Sequence, residues 1–538
     1  MIGSMLRKAQ LTGGCTATME PDVVSGLTAT ASGSTTINLV WDADTTAAPN
    51  EATSYAITRS SDGVTYTQIA TVTAPAVSYS DTSLSAGQTR WYQVIAENCA
   101  DIANASTAAS ATTSSGTLSP SWTLDFSSGS FSGATLTRAS SGTYVDSSGY
   151  VASASTDVAR LTHNSSGSRL GLLVEEQRTN IALATENFTD TVRWPVTNAT
   201  AADTTNAAPD NGADAESITE VAATSAIRRI RSGAITTGVA AGDNFTASCF
   251  IKDAPTNGKG YGYVSVTAEG GTTSVYTVIV NLSTGALETT MTAGSPTGTA
   301  YTIENYGNGW YRVSATVTAQ TGATSVRVLM GMWQSGATNT SGYPSYTVTA
   351  GNEKSILAWG AQLEKGATPT SYLANNATTG SGVTRSADLA HVLDSSITSW
   401  GDPGALVIHF YPPGQAGTLL STDDASTAQV GIEASSTTAA RAFWSSGSTS
   451  TGTIGTGVQK AVHYWNGSTS KFCINGGTVQ SGTNNLTIAN TDFVTLGAEA
   501  TDSSGVPGTF SQYSNCVIRK LEWFSGTLTD ANIQTVTT

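Results

Sequence analysis

Residues 261–280 read YGYVSVTAEGGTTSVYTVIV. Within them, 261–267 and 275–280 are strand-length runs rich in Tyr, Val, Ile and Thr and broken by glycine and polar residues. A pleated strand sends neighbouring side chains to opposite faces, and β-branched and aromatic residues suit such a half-buried surface. Similar runs recur at 36–41, 54–60, 66–72, 91–97, 311–317, 326–330, 405–410, 462–465, 471–474 and 517–524, parted by Gly, Asn, Asp and Ser turns. Long helical periodicity is almost absent. One short helix is predicted near the end, with Thr529 as N-cap of 530–536. Evenly spaced short strands with polar turns predict an all-β chain of tandem β-sandwich domains with very little helix.

Composition narrows the function. The 538 residues carry 24 Lys and Arg against 39 Asp and Glu, a net charge of −15, and charged residues are 12% of the chain, against roughly 25% in an ordinary soluble protein. Phosphate contact needs clustered cations, so an acidic chain without a basic run excludes nucleic acid as an expected partner. No apolar run approaches the ~18–20 residues needed to span a bilayer. Arg7 and Lys8 are not followed by the apolar core of a secretory signal. With 11 Trp, 18 Tyr and 11 Phe the chain is too aromatic for disorder. Cys15, Cys99, Cys249, Cys473 and Cys516 are odd in number, widely spaced and free of C-x-x-C. They are expected as five unpaired thiols made in a reducing compartment.

Aromatic-free polar stretches at 104–119 and 375–382 suggest boundaries, and residues 1–19 lack a strand pattern and read as an arm that docks on a partner. From 20 to 113 the order is Pro21-x-Val23, Leu39-Val40-Trp41, Tyr55-x-Ile57-x-Arg59, Asp62-Gly63, Tyr79-x-Asp81, Leu84-x-x-Gly87 and Tyr92-x-Val94-x-Ala96-x-Asn98. This resembles a fibronectin type III module. Trp41 suits a sandwich centre, Asp62-Gly63 a hairpin turn, and Tyr92, Val94 and Ala96 share a face. Arg90 stands where the family places its corner tyrosine.

The next block opens with Trp122-x-Leu124-Asp125-Phe126 and continues through Tyr144-Val145-Asp146, Asp157-Val158-Ala159-Arg160 and Gly171-Leu172-Leu173-Val174-Glu175-Glu176-Gln177-Arg178-Thr179-Asn180. It ends with Gly307-Asn308-Gly309-Trp310-Tyr311-Arg312, Trp359-Gly360-Ala361-Gln362-Leu363-Glu364 and Pro369-Thr370-Ser371-Tyr372. The series resembles a module of tailed-bacteriophage fibre and structural proteins, which implies a jelly roll similar to carbohydrate-binding modules. Residues 114–180 then serve as linker and lead-in, and 181–377 as the jelly roll. Residues 378–538 resemble a laminin-G/concanavalin-like sandwich, through Ala405-Leu406-Val407-Ile408-His409-Phe410, Val462-His463-Tyr464-Trp465, Phe472-Cys473-Ile474 and Ile518-Arg519-Lys520-Leu521-Glu522-Trp523-Phe524. Alternation there assigns Val462, Tyr464, Phe472 and Ile474 to the core, with His463 and Trp465 facing away.

Sugar binding needs exposed rings beside polar side chains. The candidates are Tyr261, Tyr263, Trp333, Tyr343 and Tyr346 in the jelly roll, and Trp444 and Trp465 in the last domain. Glu175 and Glu176 are strand neighbours on opposite faces, so they cannot flank one bond as an acid/base pair. His163, His391, His409 and His463 form no metal-ligand spacing, and His409 reads as a structural histidine. No cofactor is expected; calcium at Asp423-Asp424 is the single metal alternative, set against a solvated turn. The resemblances imply a non-enzymatic structural protein of a phage virion, assembled in the host cytoplasm. Its expected role is a fibre or spike subunit, oligomeric and trimeric by family analogy, that meets host-surface glycan and other virion proteins without entering a membrane. A capsid or tail decoration protein is the alternative, and a polysaccharide-degrading enzyme the third reading.

Overall fold

The computed structural model describes residues 15–85, 87–113, 118–129, 131–401, 403–423, 430–444, 447–483, 493–501 and 509–538. The chain is 49% strand and 3% helix, so the all-β expectation holds. It separates into two compact units, Met1–Ser119 and Pro120–Thr538.

The first unit contains β1 (Thr28–Ala31), β2 (Ile37–Val40), β3 (Ser54–Ser60), β4 (Thr67–Thr73), β5 (Ser78–Asp81), β6 (Thr89–Glu97) and β7 (Ala109–Thr112). They form a three-stranded sheet, β1-β2-β5, and a four-stranded sheet, β4-β3-β6-β7. Alternate residues Ile37 and Leu39, Tyr55 and Ile57, and Tyr92, Val94 and Ala96 meet between the sheets. Trp41 packs edge-on to Tyr55 at 5.4 Å between ring centres, an arrangement the aromatic quadrupole favours. The Asp62 carboxylate accepts the Val64 and Thr65 N–H groups at 2.8 Å each, and Gly63 takes the left-handed φ of 74° that this turn requires. At the corner before β6, the Thr113 hydroxyl donates to Ser85 O at 2.7 Å and accepts from Gln88 N at 2.9 Å. Arg90 donates to Thr89 O and to the Gln88 side chain.

Two expectations about this unit are overturned. Cys15 and Cys99 form a disulfide with Cα atoms 5.5 Å apart, so three thiols are free: Cys249, Cys473 and Cys516, all buried. Sequence spacing hid the pair because the fold brings the chain start to the end of β6. Residues 15–19 are accordingly no loose arm. Asn50 Oδ1 accepts Thr18 N at 2.7 Å and Met19 N at 3.0 Å, and Asn98 Nδ2 donates to Met19 O at 2.8 Å. The rest of the predicted docking arm, residues 1–14, lies outside the described residues.

The second unit holds two sandwiches that are not strung end to end. The middle one pairs two six-stranded sheets built from residues 196–365 around Phe245, Ala247, Val264, Val278, Val313, Val328 and Leu363. The outer one is discontinuous. Its central strand Cys516–Ser525 pairs with Trp122–Asp125, Arg169–Val174 and Gly404–Phe410, and Thr135–Thr137 pairs with Leu389–Leu393 in the facing sheet. Residues 114–180 are therefore not a linker, because 122–174 supply strands and core (Leu124, Phe126, Leu136, Leu172, Val174) to the C-terminal sandwich. The middle sandwich is an insertion into it. Its two connections run side by side as an antiparallel neck, Arg178↔Arg385, Thr179↔Thr384 and Asn180↔Val383.

The core parity expected for residues 462–465 is also reversed. Ala461 and Trp465 join Phe472 and Ile474 in the core, and His463, cross-strand partner of Phe472, is fully buried between the Trp444 and Trp465 rings. Val462 and Tyr464 point the other way. That face is covered by helix α1 (Asp530–Thr537), capped by Thr529 as expected. Both faces of the strand are dry, so alternation had no polar side to read.

In the middle sandwich Glu216 is buried and accepts Phe188 N–H. Burial, with Asp203 and Asp214 nearby, pushes its carboxyl up to about 7. The folded chain thus favours the protonated form. The resulting stability is complete below the ordinary value of 4.5 and is lost as pH rises through about 7. Glu216→Gln is expected to raise the urea midpoint at pH 8 and to flatten its fall between pH 4.5 and 7. An unchanged slope would remove this account.

Candidate ligand-binding site

Three of the quoted motif segments converge at the base of the neck. Arg160 Nη1 meets Glu175 Oε2 at 2.6 Å and the Ser371 hydroxyl at 2.7 Å, and its Nη2 meets Asp388. Arg138 Nη1 reaches the second Asp388 oxygen at 2.9 Å, and Arg385 reaches Glu175 at 3.2 Å. Asp388 also accepts Glu175 N at 2.9 Å. Each of these charged side chains is almost wholly buried. Burial alone would raise the Glu175 pKa; Arg385, Arg160 and the hydrogen bonds from Ser371 hold it at about 2. Both Glu175 oxygens are engaged: Oε1 by Ser371 N at 2.7 Å, Oε2 by Arg160, Arg385 and Ser371 Oγ. Glu176 pairs with Arg178 at 2.5 Å.

Beside this network lies a cleft of about 420 Å³ between the two sandwiches. That volume suits a small organic ligand. The hairpin of Gly142–Val145 and Val151–Ala154, a separate two-stranded sheet whose Val151 packs with Phe250, Trp310 and Trp359, contributes Tyr144, and the outer sandwich contributes His163 and Asn164 from the end of Leu161–His163. The middle sandwich contributes Glu304 and Asn305 at the end of Thr297–Asn305, then Tyr306 and Arg312 around the next turn. Tyr144 and Tyr306 are both half-buried, so the cleft offers two partly accessible rings. Tyr306 is braced edge-on against Phe250 at 4.8 Å. Arg312 is fixed by Thr370 O at 2.7 Å and Ser248 Oγ at 3.1 Å. Glu304 reaches solvent through the mouth, yet the protein packed around it, together with Glu175, shifts its carboxyl upward. Burial and then Glu304 push the Tyr306 hydroxyl to about 12, so it stays a neutral donor. His163 Nδ1 lies 3.0 Å from Val145 O and its Nε2 3.3 Å from Arg169 Nε, which together assign the proton to Nδ1.

The aromatics singled out by sequence are elsewhere and mostly covered. Tyr263 is fully buried, with its hydroxyl donating to Arg228 O at 3.1 Å. Trp333 is buried against Tyr261, the one half-buried member of the set. Tyr343 is buried under Arg229, its hydroxyl 2.5 Å from Thr267 Oγ1. The Tyr346 ring has the Arg228 guanidinium at 4.6 Å and the Lys259 ammonium at 4.5 Å. Trp444 and Trp465 belong to the outer core. Except for half-buried Tyr261, these rings are covered, because a second layer occupies the faces that alternation leaves free. Tyr144 and Tyr306, which line the cleft instead, stand within or beside quoted motifs, and that adjacency was the available signal.

His409 Nε2 lies 2.8 Å from Glu522, as a structural histidine should. Among the described residues no three His, Cys, Asp or Glu side chains gather as a metal set. The side chains of Asp423 and Asp424, offered for calcium, lie outside the described residues.

No family model matches the chain, and no curated protein matches it. Solved structures similar to part of it include the crystal structure of FN3tt, 27% identical over 18% of this chain and 99% of that one, with a TM-score of 0.16. An Fn3-like protein from Clostridium thermocellum is 31% identical over 17% and 92%, with a TM-score of 0.15. The sixth fibronectin type III domain of a human fibronectin type III domain containing protein is 17% identical over 20% and 97%, with a TM-score of 0.17. By its three-on-four antiparallel strand order and the Trp41–Tyr55 core, the first unit is a two-sheet β-sandwich.

Proposed function

We propose that this chain is a non-enzymatic structural protein of a tailed-phage virion, a fibre or spike subunit whose second unit holds host-surface saccharide in the cleft between its sandwiches. The middle sandwich is read as a jelly roll of carbohydrate-binding-module type, and the outer one as laminin-G/concanavalin-like. One observation carries the reading: residues of separate phage-module motifs, Arg160, Glu175 and Ser371, bond to one another at the floor of the cleft. The motif series thus serves to set two sandwiches rigidly around a saccharide-sized opening with two rings and several amide and hydroxyl groups. The subunit assembles with other virion proteins, as a trimer by family analogy. Assembly in host cytoplasm then implies that Cys15–Cys99 closes after release, since a reducing cytosol keeps thiols apart.

A glycosidase reading draws on Glu304 and Glu175, whose environments push their pKa values in opposite directions. Against it, Glu175 is buried and held ionised by Arg160 at 2.6 Å and Arg385 at 3.2 Å from Oε2, which makes it a weak base. Purified chain incubated with host polysaccharide is expected to retain it saturably and to release no new reducing ends. Tyr144→Ala and Tyr306→Ala should each weaken retention about tenfold, or ~1.4 kcal/mol, at the upper end of the ~0.5–1.5 kcal/mol of a specific ring contact. New reducing ends would establish the enzyme. Tight association with capsid or tail protein and none with polysaccharide would establish the decoration reading.

A further inference from the structure

On the outer face of one middle sheet lies a cationic ledge that neither the cleft nor the core uses. Arg229 and Arg231 are two apart on Arg229–Arg231, so they share a face. Their cross-strand partners are Gly331 and Leu329, and Arg327 follows two residues along that strand on the same side. Three guanidiniums therefore sit together in a chain whose net charge is −15. Arg327 is committed: it grips Glu269 with Nε at 2.9 Å from both carboxylate oxygens, and Ser232 O with Nη1 at 3.0 Å. Arg229 lies over the Tyr343 ring at 4.5 Å. Neither the Arg229 nor the Arg231 side chain has a hydrogen-bonded or ion-paired partner among the described residues, and the Nε of each is buried without an acceptor.

Such an arrangement is unfavourable for the chain alone. Like charges repel, and buried donors left unbonded lose the water they would otherwise hold. Burial, Arg327 and Arg229 all act to lower the Arg231 pKa, opposed mainly by Glu269. Guanidinium forks match a planar oxyanion with two parallel N–H bonds, and Tyr343 fixes one fork in place, which reduces the entropy lost on binding.

We infer that Arg229 and Arg231 bind the carboxylate of an acidic saccharide, at a site separate from the cleft. The oxyanion chemistry stands on the ledge itself; that the anion comes on a saccharide rests on the attachment reading. Arg327 positions the site by holding Glu269 away from the two free forks.

The test uses the full chain and calorimetric titration with three probes: oligogalacturonate, its methyl ester, and inorganic sulfate. The acid form is expected to bind at least tenfold tighter than the ester, and to weaken as salt rises. Arg229→Gln and Arg231→Gln should each cost tenfold or more, and the double variant should bind acid and ester alike, with an unchanged circular dichroism spectrum. Equal binding of acid and ester by the parent chain, or acid binding that survives the double variant, overturns the site. Sulfate binding that the double variant loses, without uronate binding, overturns the saccharide assignment. Host-cell adhesion is read separately. A chain that binds uronate through these arginines but never adheres to cells keeps the site and loses the attachment reading, whereas adhesion untouched by the double variant with no uronate binding does the reverse.

Discussion

Replacing Asp388 by alanine is expected to lower the stability of the second unit by about 3–5 kcal/mol, the usual cost of removing one partner from a buried ion pair. Asp388 is fully buried, and its two oxygens bind Arg138 and Arg160. Arginine does not shed its proton in a protein, so both guanidiniums would stay charged with no counter-ion on that side. Asp388→Asn should be nearly as damaging, because it keeps the shape and removes the charge. Urea unfolding followed by tryptophan fluorescence reads the effect; a loss under 1 kcal/mol would mean that the network is not what joins the sandwiches. Acid makes the same point by another route. Glu175 has its pKa lowered from 4.5 to about 2, so its contribution is present above pH 4.5 and disappears as pH falls through about 2.

Loss of the Cys15–Cys99 bridge is expected to destabilise the first unit by about 2–5 kcal/mol. The bond closes a loop with a sequence separation of 84, and the unfolded chain regains that freedom when the bond is absent. Cys99→Ser and treatment with dithiothreitol should shift the unfolding midpoint by the same amount and leave the second unit unaffected. Thiol titration of denatured, unreduced chain should find three groups, rising to five on reduction. Five at the outset would show that the bridge does not form.

The contrast between these cysteines and Trp41 shows where the sequence was readable. Trp41, Asp62-Gly63 and the Tyr92–Ala96 alternation are local facts, decided by side chains a few residues apart, and all three behave as expected. The bridge, the Glu175–Asp388 contact and the pairing of 122–125 with 516–525 join positions far apart along the chain, and nothing in local periodicity encodes such partners. Tyr343 and Tyr346 illustrate a different limit. Alternation shows which residues share a face, but not that the short sheet containing Tyr343–Val348 would lie across it. His463 and Trp465 show the extreme of this, on a strand covered from both sides. Of the candidate site, the motif positions were visible as motifs; their meeting at one cleft floor was not.

Because Asn180 and Val383 are register partners on adjacent antiparallel strands, their Cα atoms are about 5 Å apart. To the outer sandwich, everything between them is one oversized hairpin loop. Recombination at these two points could exchange the whole intervening module for another without rerouting either host sheet. Such a cassette would have to bring its own counterpart of Pro369–Tyr372, since Ser371 supplies hydrogen bonds that the host's Arg160 and Glu175 depend on. The neck thus turns the whole middle sandwich into a detachable cassette, with a four-residue passport at the junction that must match the host network.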